Sequence, residues 1–140
     1  MSFSVLADLN WLAVVVATVA YFGLGALWFA PPVFGTAWQR AVGLDPDDLE
    51  PPGIKFYVGP LATCLVATVA LAMLAGATGT DTIGEALVLA LVTGVGLCGA
   101  TLYVASISEP KPAPTAWFLI GGGYHLVGLA LAAVILALWS

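Results

Sequence analysis

A single histidine, His125, stands inside an apolar run, directly after Gly121-Gly122-Gly123-Tyr124. An ionisable side chain in such a setting carries three functional readings: proton relay, ligand contact or metal ligand. The plainer reading is a neutral imidazole hydrogen-bonded to a neighbouring helix. No carboxylate lies deep within an apolar run to serve as its partner, Glu85 standing at the very start of one, which weakens a proton-coupled mechanism. Three consecutive glycines cost a helix about 1 kcal/mol each relative to alanine, so Gly121–Gly123 is a place where local unwinding is expected. Unwound backbone at membrane depth is tolerated only against protein or water.

The two cysteines, Cys64 and Cys98, also fall in apolar runs. Counted along helical runs, Tyr21, Cys64, Cys98 and His125 lie at one level, roughly 13 Å from one end at 1.5 Å per residue. Two thiols and an imidazole at one depth could take Zn²⁺ or a soft metal. Isolated cysteines in apolar helices are more often small packing residues, however, so no metal and no cofactor is assigned. The cluster Asp45, Asp47, Asp48 and Glu50 lacks the Gly and closing Glu of a calcium loop and reads as a solvated acidic turn. No nucleophile–base pair or phosphate-binding loop stands out, and no catalytic residue is assigned.

The elements that must position these residues are four long apolar runs, about 9–30, 56–75, 83–107 and 116–139. Each is long enough for a helix to cross a hydrocarbon core, which takes roughly 20 residues. The composition agrees: 140 residues, 61% hydrophobic and only 8% charged, with a mean hydropathy of +1.07. A soluble domain carries about a quarter charged residues, and this chain could not clothe a globule in water-compatible surface. The first run has no basic residues before it and is too long for a signal-peptide core, so it reads as a retained span. The expected fold is a single-domain, all-α integral membrane protein, a four-transmembrane-helix bundle with a short interfacial helix between helices 1 and 2.

That interfacial helix is expected to open at Pro32, place Phe34, Ala37, Trp38 and Ala41 on one face, and end at Gly43. Asp45–Glu50 reads as one further helical turn. Asp8 and Asn10 both lie at the start of the first span, where free N–H groups welcome an acceptor, while Thr82 with Glu85 is placed to form a capping box on the third and Thr115 to cap the fourth. The short linker Gly76–Asp81 predicts that the second and third spans are antiparallel neighbours.

Arg40, Lys55 and Lys111 are the only basic residues, and all lie in the connections 31–54 and 108–115 or beside them. These connections are therefore expected to be cytoplasmic and the termini outside, in a plasma (cell) membrane. The net charge of −5 argues against a nucleic-acid partner, since little here could neutralise phosphates. Membrane lipid and further copies of the chain are the expected partners. The small residues that line the spans, among them Gly23, Gly25, Ala90, Gly94, Gly96 and Gly128, suit close helix packing and a homo-oligomer.

The stretch Asn10-Trp11-Leu12 … Gly25-Ala26-Leu27-Trp28-Phe29-Ala30-Pro31 … Phe34-Gly35-Thr36-Ala37-Trp38 resembles the domain-of-unknown-function 1761 family, small and mostly prokaryotic membrane proteins. Gly123-Tyr124-His125-Leu126 looks like that family's closing Gly-Tyr-His-Leu signature, and Ala100-Thr101-Leu102 with Ser108-Glu109 is similar to its Thr-Thr-Leu and Glu segment. Ala105-Ser106 departs from it, where asparagine is expected, and so does Gly122, where alanine is usual. The resemblance implies an architecture and no assigned activity. It singles out Asn10, Trp28, Pro31, Phe34, Gly35, Trp38, Tyr124 and His125.

The leading expectation is a non-enzymatic, self-associating membrane protein with a structural, accessory or small-molecule- or lipid-binding role. The alternative is a transporter or channel subunit with a path beside Gly121–His125. A lipid- or quinone-directed membrane enzyme using His125 and Tyr124 ranks third, because no second catalytic group accompanies them.

Overall fold

Asn10 opens the first long helix. Its side-chain oxygen accepts from the Ala13 N–H at 3.1 Å, satisfying one of the donors that a helix start leaves unpaired. Helix α1 runs Trp11–Trp28 and stops short of Pro31-Pro32, where two backbone donors are missing. A computed structural model describes residues 3–139.

Past α1 the chain departs from expectation. Pro31–Gly35 forms a wide π-type turn, and only Thr36–Ala41 (α2) is regular helix. Gly35 explains the turn: a Cβ there would collide with the backbone carbonyl of Phe29, so the chain folds tightly back on the end of α1. Gly43, at φ 86, ends the segment in a left-handed conformation. Asp45 then caps a short 3-10 turn, Pro46–Asp48, by accepting from the Asp47 N–H at 3.1 Å.

Helix α3 spans Lys55–Thr78 and closes on Gly79 at φ 66. The capping box of Thr82 and Glu85 is present and opens α4, Ile83–Ser108. Within α4, Val92–Gly99 is wound as a π-helix, and its bounding glycine helps to permit this. A Cβ at Gly99 would come within 3.2 Å of the Gly94 carbonyl oxygen. Helix α5 covers Pro114–Leu138. It starts at Pro114 and not at a Thr115 cap, because proline at the first position brings a preset φ and needs no donor. Lys111 braces the turn before it, donating to the Ala105 carbonyl and to Glu109, both at 3.1 Å.

The glycine triplet does not unwind. Helix α5 continues through Gly121–Gly123. An interrupted ladder in apolar surroundings would orphan backbone groups, and that outweighs the weak propensity of glycine.

Four helices, α1, α3, α4 and α5, are long and apolar enough to cross a membrane, and no strand occurs among the described residues. Helix α5 is the hub. Helices α1 and α3 pack on each other and on α5, whereas α4 packs on α5 and makes at most marginal contact with α1 or α3. The expectation that α3 and α4 are packed neighbours is therefore corrected. A short linker fixes where α4 begins, but its side chains decide where it rests. The small face of Ala86, Ala90 and Gly94 is fully buried on α5. Large apolar side chains such as Leu12, Val19, Val66, Val88 and Leu119 point outward.

Asn10 also donates from its amide to the Trp139 carbonyl at 2.9 Å, clasping the start of α1 to the end of α5. Asn10→Ala removes cap and clasp together and is expected to cost about 1–2 kcal/mol, read as a lower thermal midpoint in detergent. Asn10→Asp keeps the cap acceptor and loses the donor, so it should fall between the two.

Candidate functional site

Two tyrosines, a histidine and a cysteine meet inside the bundle around the middle of α5. The Tyr21 hydroxyl of α1 lies 2.6 Å from His125 Nδ1. Tyr21 is 1% exposed, so its hydroxyl has no water to turn to. One helix over, the Tyr124 hydroxyl lies 3.4 Å from Cys64 Sγ on α3 and 3.5 Å from the Tyr21 carbonyl, a longer contact. The Tyr21 and Tyr124 rings sit 5.4 Å apart at 48°, and the Tyr124 and His125 rings 4.8 Å apart. The bundle thus holds one polar layer contributed by α1, α3 and α5.

Glycines make room for it. A Cβ at Gly128 would land on the Tyr21 ring, and one at Gly25 would come within 2.9 Å of the Tyr124 hydroxyl. Each tyrosine therefore lies across a helix backbone at a point where no side chain stands. Leu126 fills the same relation towards α4, against Gly94.

The other residues singled out by sequence surround this layer. Trp28 donates from its indole N–H to the Ile120 carbonyl at 3.1 Å and stacks 4.8 Å from Phe34. Its ring covers Gly123, where a Cβ would approach to 3.3 Å. Trp38 meets Phe29 edge-on at 5.8 Å, and Phe29 meets Tyr124 at 5.3 Å, so aromatic contacts run from α2 to the layer. Gly121 and Gly122 face no close neighbour beyond the Phe118 ring, which touches Gly122 at 3.7 Å. Asn10 is remote, at the opposite end, beside a cleft of about 480 Å³ that Asp8, Asp81 and Trp139 also line. Pro31 is exposed and shapes the turn after α1.

Of the four residues placed at one level by sequence, the structure joins Tyr21 to His125 and joins Cys64 to the layer through Tyr124. Cys98 stays partly buried in the π-helical stretch of α4. Among the described residues no three His, Cys, Asp or Glu side chains are grouped to hold a metal ion, so the set Cys64, Cys98 and His125 does not form a metal centre here.

Sequence reasoning missed two features. Thr68, one turn along α3 from Cys64, is fully buried, and its hydroxyl has no hydrogen-bond partner among the described residues. Thr18 and Thr93 donate to the carbonyl four residues back, each at 2.8 Å, as helical threonines commonly do. The second feature is the π-helical winding of α4, a form that often marks functional sites. Its glycines were read only as packing residues.

The layer can hold a neutral imidazole in one orientation and present it at mid-helix depth. It offers no base paired with a carboxylate, because every Asp and Glu of the sequence lies in a connection or a helix's first turn. The family described as "Protein of unknown function (DUF1761)" matches residues 12–137. No curated protein and no solved structure matches the chain.

Proposed function

The chain belongs to the DUF1761 family, whose function is unknown, and we propose that it is a four-span integral membrane protein that binds a small apolar molecule without transforming it. The observation that carries binding is the His125 imidazole, fixed through Nδ1 by Tyr21 while Nε2 makes no hydrogen bond among the described residues. Catalysis is disfavoured because general acid–base work needs a second group of matched proton affinity within reach. A transport path finds little support, since the glycine triplet beside His125 remains helical.

The membrane reading rests on the outward apolar side chains, which only lipid accommodates over so much of the surface. By the placement of Arg40, Lys55 and Lys111, the connections 31–54 and 108–115 face the cytoplasm of a plasma membrane and the termini face outward. Segment 31–41, with Phe34 exposed and Trp38 half-buried, lies at that interface. Gly23, Gly59 and Gly96 have nothing within 4 Å of a would-be Cβ, which leaves backbone open to the close approach of a second copy.

Thiol labelling tests the arrangement. In a Cys64→Ala/Cys98→Ala background, Asp81→Cys is expected to react with an impermeant maleimide in intact cells. Asp47→Cys and Glu109→Cys should react only after lysis. The opposite pattern reverses the orientation, and release of the protein by alkaline carbonate overturns the integral reading. Native mass spectrometry from membranes that shows only monomer removes self-association.

A further inference from the structure

We propose that the ligand of this site is a neutral molecule with an apolar body and a ketone or quinone carbonyl, which accepts a hydrogen bond from His125 Nε2–H in the seam between α1 and α4. This inference rests on the binding reading above and adds the chemistry of the ligand.

The tautomer follows from Tyr21. A buried phenol must donate somewhere, and His125 Nδ1, at 2.6 Å, is the acceptor within reach. A neutral imidazole that accepts at Nδ1 carries its one hydrogen on Nε2. Surrounded by apolar groups and without a carboxylate nearby, the neutral form is the one this environment favours. That Nε2–H therefore meets no acceptor among the described residues.

Its direction follows from neighbours on α5. His125 is bonded to α1 through Tyr21, while Leu129, one turn further on the same face, packs towards Gly94 of α4. The imidazole thus lies between the side of α5 that meets α1 and the side that meets α4. Those two helices touch each other marginally at most. Opposite the seam runs the π-helical stretch Val92–Gly99 of α4. Its exposed side chains Val92, Val95 and Leu97 are apolar.

Depth selects the ligand. His125 sits near the midpoint of α5. Ester carbonyls of phospholipids lie near the headgroups, far from the centre of a hydrocarbon core about 30 Å thick. A carbonyl that reaches His125 must belong to a molecule able to dissolve among acyl chains. An anionic ligand is disfavoured, because the one cationic side chain in the spans, Lys55, stands at the first position of α3, and none lies at the depth of His125.

Because the chain has one histidine, ¹⁵N-histidine labelling gives a single imidazole to watch. The full-length protein in phosphatidylcholine nanodiscs would be titrated with a 1,4-benzoquinone bearing a short isoprenoid tail. A matched arm uses the same tail on benzene. The quinone is expected to move the Nε2–H proton downfield, and the benzene analogue to leave it in place. His125→Phe should weaken quinone binding about tenfold, the effect of one lost hydrogen bond. Tyr21→Phe, which frees the tautomer, should weaken it by a smaller factor. Equal binding of both probes overturns the carbonyl inference and leaves apolar binding standing. Binding of neither overturns both. A shift that tracks protein-to-lipid ratio without probe assigns the seam to a second copy instead and also overturns the inference.

Discussion

Gly128→Ala is expected to lower stability by about 2–3 kcal/mol, while Gly121→Ala, two turns away on the same helix, is expected to raise it by about 0.5–1 kcal/mol. Both changes replace glycine by a better helix former, a gain of up to about 1 kcal/mol. They differ in what the new methyl group meets. At Gly121 there is nothing within 4 Å, whereas at Gly128 the methyl falls on the Tyr21 ring. That ring is almost fully buried, so it cannot swing aside without leaving the core. Overpacking of this kind costs about 1–3 kcal/mol, and losing the Tyr21–His125 hydrogen bond adds about 1 kcal/mol more. Thermal unfolding of the full chain in one detergent reads both shifts. The double variant Tyr21→Ala/Gly128→Ala completes the cycle. With the ring gone, the alanine methyl is harmless, so the two losses should be strongly non-additive. Additive losses would mean that Tyr21 does not lie across Gly128.

This pair also shows where the sequence stops being informative. Helix limits were legible because they follow from local chemistry: Asn10 caps, Pro31-Pro32 halts, and Thr82 with Glu85 boxes the start of α4. The polar layer was half legible. Counting along helices placed Tyr21, Cys64 and His125 at one depth, since depth is a one-dimensional property. Which of them touch depends on helix rotation, and weakly amphipathic helices do not announce their rotation. Gly121 read as a place to unwind and Gly128 as a packing residue, and neither reading showed that Gly128 seats a tyrosine while Gly121 faces open space. The neighbour relation of α3 and α4 failed for a related reason: linker length constrains helix ends and leaves the packing partner undetermined. The π-helical stretch was illegible because its residues, Val92–Gly99, read as ordinary small and apolar helix formers. Two residues singled out by the family resemblance make hydrogen bonds between helices. Asn10 and Trp139 are in fact clasped together, as are Trp28 and the Ile120 carbonyl.

The weakest point of the bundle should be Gly94, and Gly94→Leu is expected to cost about 3 kcal/mol or more. A Cβ at this position would already lie 2.9 Å from the end of Leu126 and 3.3 Å from its Cα. The side-chain end can rotate away, but the Cα belongs to the backbone of α5. The remaining leucine carbons can be housed only if α4 moves outward. Elsewhere in the bundle a displaced helix would still be held by a second neighbour. Helix α4 rests almost wholly on α5, so displacement forfeits the burial of Ala86 and Ala90 as well. Gly96→Leu, two residues on, meets nothing within 4 Å and should be close to neutral. The two native thiols report on this difference. Cys98 lies on α4 and is partly buried, whereas Cys64 is buried on α3 against Tyr124. In nanodiscs, Gly94→Leu should speed N-ethylmaleimide labelling of Cys98 while leaving Cys64 slow, as peptide mass spectrometry would show. Acceleration of both thiols would indicate that the whole bundle loosens. No acceleration of either would mean that α4 is held by more than its seat on α5, and the seam beside His125 would then be closed.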